Sequence, residues 1–429
     1  MITTRRQIIR GAGAAACLLG MFAIARRSHA QASEDRIEPL RGGEILPTPN
    51  FAQLRKNARF VAGVRPHRRG GVRLALEPEI QSAKGTKFLI HNYGHSGAGI
   101  TLSWGCASVV RGHVETVINE MRGTKTKPSV AILGSGVIGL TVATELRRKW
   151  PRLPITIYAK TPDLTKTASF VAGGQFEPSQ ICGEYQGANK PILEDYLRRS
   201  ASRIREIENS GQRLRYGVAQ RKNYTLDDEN PAFDECTPRD VVPAFKLGTL
   251  PFQKLNVVGR EYSTWLINPR ILLPRLVTDL KRRAVRFRVK DFKDRQQVED
   301  LKQNIIVNCT GYGARALFDD QALRPRRGLL AVLRNPARLK YFFSGGCENY
   351  VASYLFARQN DIVIGGTVKI DERDYFDPSD GTDKAICNHL IDNIQQVFEG
   401  HPEACTNPLN VAPIVDELPL APGSARSWE

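Results

Sequence analysis

The sequence predicts an α/β protein: a Rossmann-type nucleotide-binding domain joined to a second domain with a mixed or antiparallel sheet. Two observations predict it. A strand, a glycine turn, a helix and a second strand follow one another between Val130 and Tyr158. Segments with strand and helix spacing then alternate along the chain, with extra strands in the second half, as α/β proteins require. Apolar residues make up 41% and charged residues 25% of 429 positions, which excludes wholesale disorder.

The elements follow in order. Residues 33–57 are polar and punctuated by Pro and Gly, which predicts a flexible lead-in. Lys87 to Ile90 reads as a strand, followed by a turn carrying Gly94, Gly97 and Gly99. Ile100 to Met121 has helical spacing, with Leu102, Ala107, Val110, Val114 and Val117 on the apolar side. Gly123 to Pro128 is linker-like. Val130 to Leu133 is a strand, Val137 to Lys149 a helix closed by Pro151 and Pro154, and Ile155 to Tyr158 the second strand. Pro191 to Glu208 and Pro269 to Arg283 read as helices. Asn304 to Asn308, Gly328 to Leu333 and Asp361 to Ile364 read as strands, and Lys384 to Phe398 as the last long helix.

The start of the chain reads as an export leader. Arg5, Arg6 and Arg10 precede an uncharged apolar run from Gly11 to Ala25, and Ala30-Gln31-Ala32 supplies a small-residue cleavage site. The paired arginines resemble the bacterial twin-arginine signal, which implies a periplasmic or secreted protein. The run is too short for a stable membrane span. Removing residues 1–32 takes away five arginines and lowers the net charge from +18 to +13. No nucleic-acid motif accompanies the basic stretches at Arg65 to Arg73, Arg213 to Lys222, Lys281 to Lys290 and Arg324 to Arg327. They read as solvated faces that attract anions. With Cys17 removed, seven cysteines remain without any C-x-x-C pair, so no metal site is expected. One disulfide is possible in an oxidising compartment.

The glycines Gly134, Gly136 and Gly139 form a G-x-G-x-x-G that leaves a strand and opens a helix. The first permits the turn, the second admits a pyrophosphate to the backbone, and the third allows close helix–strand packing. The helix N-terminus offers N–H groups and a positive dipole to phosphates. An acid about 20 residues on would hold a ribose hydroxyl. Lys160 stands in that region, with Asp163 slightly beyond, and taken alone Lys160 suits a 2′-phosphate and NADP.

The run His91-Asn92-Tyr93-Gly94-His95-Ser96-Gly97-Ala98-Gly99-Ile100-Thr101 resembles the hallmark of the D-amino-acid oxidase family. Ala168-Ser169-Phe170-Val171-Ala172-Gly173-Gly174 resembles that family's second flavin loop, and Val307 to Gly311 its adenine-side turn. Arg326-Arg327-Gly328, Tyr350 to Tyr354 and Gly365-Gly366-Thr367 resemble its substrate-domain strands. Val64-Arg65-Pro66, followed by Gly71 to Leu74, resembles its carboxylate-binding segment. Together these cover residues 55 to 398. The order departs, because segments that come last in the family come first here, so the resemblance implies a circular permutation. Phe60 to Ile90 should then pack near the strands after Gly328. The implied organisation is a leader (1–32), a lead-in (33–57) and a permuted segment completing both domains (58–122). The FAD-binding domain with interleaved substrate segments (129–330), substrate sheet and helix (331–400) and tail (401–429) follow.

The resemblance implies FAD as cofactor and a D-amino acid as substrate. Hydride would pass from Cα to flavin N5, and the imino acid would hydrolyse to a keto acid and ammonia. Dioxygen or an electron carrier would reoxidise the flavin. A dehydrogenase, a glycine or amine oxidase, or a non-catalytic flavin-fold binding protein are the alternatives. The implied catalytic residues are Arg65, Tyr350 and Tyr354. The implied cofactor contacts are Gly134, Gly136, Val137, Ile138 and Gly139; Thr167, Ala168, Ser169, Gly173 and Gly174; Thr310 and Gly311; and Ser96, Gly97, Gly99, Ile100 and Thr101. Arg65 should lie near Tyr354 and the Gly97 turn. His91 and His95 read as structural hydrogen-bonding groups and Cys309 as a small core residue. Arg358 and Lys369 could meet an acidic substrate but read as solvated cations.

Overall fold

The computed structural model describes residues 37–39, 44–226, 236–242, 245–345, 353–366, 373, 375–379 and 381–401. The leader, Tyr350, Lys369 and the tail beyond His401 lie outside them.

The first described elements are β1 (Ile37–Pro39) and α1 (Phe51–Arg55), the latter capped by Asn50, whose side chain accepts from Gln53 N at 3.1 Å. The expected lead-in is corrected here. Phe51 and Leu54 are buried in the second core, Leu46 N donates to Pro251 O, and Tyr341 Oη donates to Pro47 O at 2.8 Å. Scattered apolar anchors hold this segment although its composition is that of a loop.

Next come β2 (Arg59–Arg68), β3 (Arg73–Leu76), β4 (Ile80–Ser82), β5 (Gly85–Tyr93) and α2 (Gly99–Glu120). The nucleotide unit follows as β6 (Val130–Leu133), α3 (Val137–Lys149) and β7 (Ile155–Ala159). Then come α4 (Ala168–Val171), α5 (Lys190–Asn209), β8 (Val218–Thr225), β9 (Phe245–Thr249), β10 (Val258–Ile267) and α6 (Pro269–Arg282). The remainder is β11 (Arg286–Val289), α7 (Arg295–Glu299), β12 (Ile305–Asn308), α8 (Ala314–Leu317), β13 (Leu323–Arg334), β14 (Tyr341–Gly345), β15 (Ser353–Ala357), β16 (Asp361–Gly365) and α9 (Gly381–Glu399).

One sheet runs β11-β7-β6-β12-β5-β3, parallel from β11 to β5 with β3 antiparallel at the edge. Its central strands are buried on both faces, so Val130 to Leu133 and Ile305 to Asn308 carry no alternation. Helices α2, α3 and α5 cover one face. Gly105 lets α2 meet α5 closely: its N donates to Ser200 Oγ at 2.8 Å, and a Cβ there would strike Tyr196 O.

The second sheet, β1-β9-β10-β8-β14-β15-β16-β13-β2, is mostly antiparallel and packs against α9. The predicted two-part α/β architecture is therefore the observed one. Strand β2 pairs with β13 from Arg59↔Val332 to Arg68↔Leu323, while β5 pairs with β12. Residues 59–93 thus belong to both sheets, beside the strand that carries Gly328.

Cys182 and Cys236 form a disulfide across 54 residues. Two basic groups expected in solvent are instead buried in ion pairs. Arg327 holds Asp383 of α9 through two bonds, at 2.8 and 2.5 Å, and donates to the carbonyls of Arg373 and Tyr375. Arg358 holds Asp361 at 2.6 and 2.9 Å and donates to Ala172 O, so it is committed to structure rather than to an acidic substrate. Burial needs such pairing, and the Arg327 partner lies too far along the chain for spacing to reveal it.

Candidate active site

A cavity of about 1140 Å³ lies between the two sheets. That exceeds the roughly 300–1,000 Å³ of an ordinary small-molecule pocket and leaves room for a cofactor and a second ligand.

Its nucleotide end is built from β6, α3 and β12. Gly134 adopts φ 109°, and a Cβ there would strike Cys309 O; at Gly139 it would strike Gly134 O. Gly134, Gly136, Val137 and Ile138 line the cavity, whereas Gly139 serves the packing beneath it. Ser169 Oγ accepts from Val137 N at 3.0 Å, joining the loop after β7 to the start of α3. Thr167, Ala168, Ser169, Gly173 and Gly174 all line the wall. Gly174, at φ 97°, accepts at its carbonyl from Ile267 N at 2.7 Å, and a side chain there would press on Ile267 O. Thr310 and Gly311 complete this end, Thr310 being held by its N and Oγ1 to Asn308 Oδ1. Lys160 is exposed at the rim.

Ser96, Gly97, Gly99 and Ile100 line the middle. Thr101 does not: its hydroxyl donates to Glu177 O at 2.7 Å and accepts from Glu177 N at 3.0 Å, so the expected cofactor contact is a main-chain tether. Asn92 lines the cavity with both amide atoms buried and unpartnered, as does His95 Nε2, the ring being held neutral by burial, which pushes it down to about 3. His91 is structural. Its Nδ1 accepts from Asn308 Nδ2 at 3.1 Å, which leaves Nε2–H to donate to Glu77 at 2.7 Å.

At the far end Arg65 reaches in from β2. Its guanidinium lies against Gly328, where a Cβ would sit 2.7 Å from the nearest nitrogen, and its stem passes the Gly97 turn. It hydrogen-bonds Tyr354, whose hydroxyl burial pushes up. Arg65, Tyr354 and Gly97 therefore share one wall. Neighbouring arginines have structural duties: Arg68 binds Asp320 at 2.8 Å, and Arg73 binds Tyr93 Oη at 3.0 Å and Glu77 at 2.9 Å.

The sequence reading missed Asn92, Gln175, Glu177, Asn223, Arg260 and Tyr262, all of which line the cavity. Asn223, Arg260 and Tyr262 come from β8 and β10, strands that sequence spacing did not locate. Glu177 had a signal: a carboxylate three residues beyond the Gly173-Gly174 loop. Tyr262 Oη donates to its Oε2 at 3.1 Å, and burial pushes Glu177 up to about 7.

A glycine cradle at a helix N-terminus, unpartnered Asn92 amide atoms further along the cavity, and a guanidinium with a tyrosine hydroxyl beyond mark a dinucleotide site with room for a second ligand. The family model described as FAD dependent oxidoreductase, DAO, matches residues 129–421. The chain belongs to this family, its cofactor is FAD, and the reading of Lys160 as a 2′-phosphate contact gives way. D-amino-acid oxidase of Streptomyces coelicolor is 26% identical over 269 residues, covering 60% of this chain and 74% of that protein. D-aspartate oxidase of Homo sapiens is 25% identical over 248 residues, covering 56% and 68%. Glycine oxidase from Geobacillus kaustophilus superposes with a TM-score of 0.44 at 17% identity, covering 62% and 79%.

Proposed function

We propose that this enzyme oxidises D-amino acids, with dioxygen as the final acceptor. The observation that carries the reading is Arg65, poised over Gly328, bonded to Tyr354 and beside the Gly97 turn. A guanidinium matches a forked carboxylate with two parallel N–H donors, which lysine cannot do. Fixing the carboxylate there fixes where the substrate's Cα points. Tyr354 adds a hydroxyl and excludes water, and Tyr350 is proposed to act with it. The nucleotide end would hold FAD through the Gly134–Ile138 turn, Ser169 and Thr310. FAD held there would supply the acceptor for the Cα hydride, giving an imino acid that water hydrolyses to a keto acid and ammonia. Relatives named for D-amino acids and D-aspartate support the substrate class. A panel of D- and L-amino acids, assayed aerobically for hydrogen peroxide, tests the reading. Peroxide from D-enantiomers is the expected result, and none from any amino acid opposes it.

We also propose export by the twin-arginine route to the periplasm, a reading that the Cys182–Cys236 bridge supports. The circular permutation is likewise proposed. The family match begins at residue 129, while residues 59–93 supply strands to both sheets.

A further inference from the structure

The buried acids among the described residues have cationic partners. Asp383 pairs with Arg327, Asp320 with Arg68, Glu261 with Lys222, and Glu145 with Arg111, Arg148 and Arg203. Glu177, half-buried on the cavity wall, differs from them. Its carboxylate meets Tyr262 Oη and, among the described residues, no lysine, arginine or histidine within 4 Å. It nevertheless lines the cavity, on a main chain fixed to α2 by both hydrogen bonds of Thr101. Gln175 Nε2 donates to Tyr262 Oη at 3.2 Å, which orients that hydroxyl toward the carboxylate. An acid deep in a protein is costly to ionise without a cation. An acid on a cavity wall with no cation within 4 Å among the described residues is open to one that arrives with the ligand.

We propose that Glu177 receives the substrate's α-ammonium group and takes a proton from it. This rests on the D-amino-acid reading, in which Arg65 holds the carboxylate. Tyr354 links the two positions: it is bonded to Arg65, and the charge of Glu177 acts on its hydroxyl. In the step, one N–H bond of the ammonium breaks and an O–H bond forms on Glu177. Both groups become neutral, and the nitrogen regains its lone pair. That pair becomes the second bond of C=N when the Cα–H departs as hydride, which an ammonium has no electrons to do.

Protonation chemistry agrees. The charged or titratable groups facing this end are Arg260 and Tyr262 from β10, Tyr354 from β15, Arg65 from β2 and His95 from the turn before α2. Burial keeps His95 neutral and raises both tyrosines. Glu177, pushed up to about 7, is the member that changes charge near neutrality. It is ionised and able to accept a proton above that pH and is blocked below it.

The experiment compares FAD-loaded wild type with Glu177→Gln and Glu177→Asp. Benzoate, a carboxylate without an amine, is titrated by its effect on the flavin spectrum. Flavin reduction by the best D-amino acid is followed anaerobically between about pH 5 and pH 10. Benzoate affinity should stay within about twofold. Reduction by Glu177→Gln should fall by about 10² or more, as general-base removal typically does, and lose its acid limb near neutrality. Glu177→Asp should recover part of both. An unchanged pH profile in Glu177→Gln overturns the proposal, as does equal loss of benzoate and substrate binding. Loss confined to D-lysine and D-arginine, with neutral substrates unaffected, also overturns it and makes Glu177 a side-chain subsite. Wild type that no D-amino acid reduces defeats the functional reading itself, a separately visible result.

Discussion

Arg65 is one of four arginines within nine residues, and its neighbours distinguish it. Arg68 and Arg73 spend their donors on Asp320, Tyr93 and Glu77, whereas Arg65 turns over a glycine toward the cavity. Arg65→Lys keeps a charge but loses the planar fork. It should retain bound flavin while kcat/KM falls about 10- to 100-fold, equivalent to roughly 1.5–3 kcal/mol of lost charged hydrogen bonding. Arg69→Lys, outside the cavity wall, should change kcat/KM by less than about twofold. Steady-state kinetics with flavin absorbance checks both. Gly328→Ala probes the same contact from the other side. Its methyl would sit 2.7 Å from the guanidinium, so the arginine must shift. KM should rise about tenfold or more with flavin content unchanged.

Among the elements, the β6–α3–β7 unit was legible nearly to the residue, because the glycine turn and the closing prolines mark its ends. Strand β2 and the Arg65 wall were legible through motif resemblance. Strands β8 and β10 were not: they mix polar cavity-facing residues such as Asn223, Arg260 and Tyr262 with buried ones, so no clean alternation appears. Segment 44–57 failed for a related reason, since isolated anchors such as Phe51 have no period. The β3–β5 edge carries its own pH dependence. Glu77 accepts from His91 and lies beside Arg295 and Arg73, which together hold its carboxyl at about 2 against an ordinary 4.5. A depressed carboxylate stabilises the fold fully above the unfolded value and loses that contribution as pH falls from about 4.5 toward 2. Glu77→Gln should therefore cost on the order of 1–2 kcal/mol at neutral pH, after allowance for solvent screening. Its chemical denaturation curve should approach that of wild type near pH 2.

Across the whole molecule, two sheets share the segment 59–93, and the cavity lies where they meet. The Arg65 wall and the Gly97 turn are therefore placed by one continuous stretch of chain, from β2 into α2, while β6, α3 and β12 supply the nucleotide end. The disulfide joins residues 54 apart in sequence, and the turn that carries Cys182 touches the shared segment, Glu184 and Tyr185 accepting from Gly70 N and Val72 N. The Cys182→Ser/Cys236→Ser double variant should lose roughly 2–4 kcal/mol of stability by denaturant unfolding while keeping bound FAD. Cofactor loss in that variant would show that the bridge supports the site itself.

The most direct measurement is anaerobic stopped-flow reduction of the FAD-loaded protein by matched D- and L-enantiomers, for wild type and Arg65→Lys. Rapid bleaching by D-amino acids, little by L-amino acids, and a strongly slowed D-reaction in Arg65→Lys are the expected results. Flavin that no amino acid bleaches, or equal rates in wild type and Arg65→Lys, would contradict the assignment of this cavity as a D-amino-acid site.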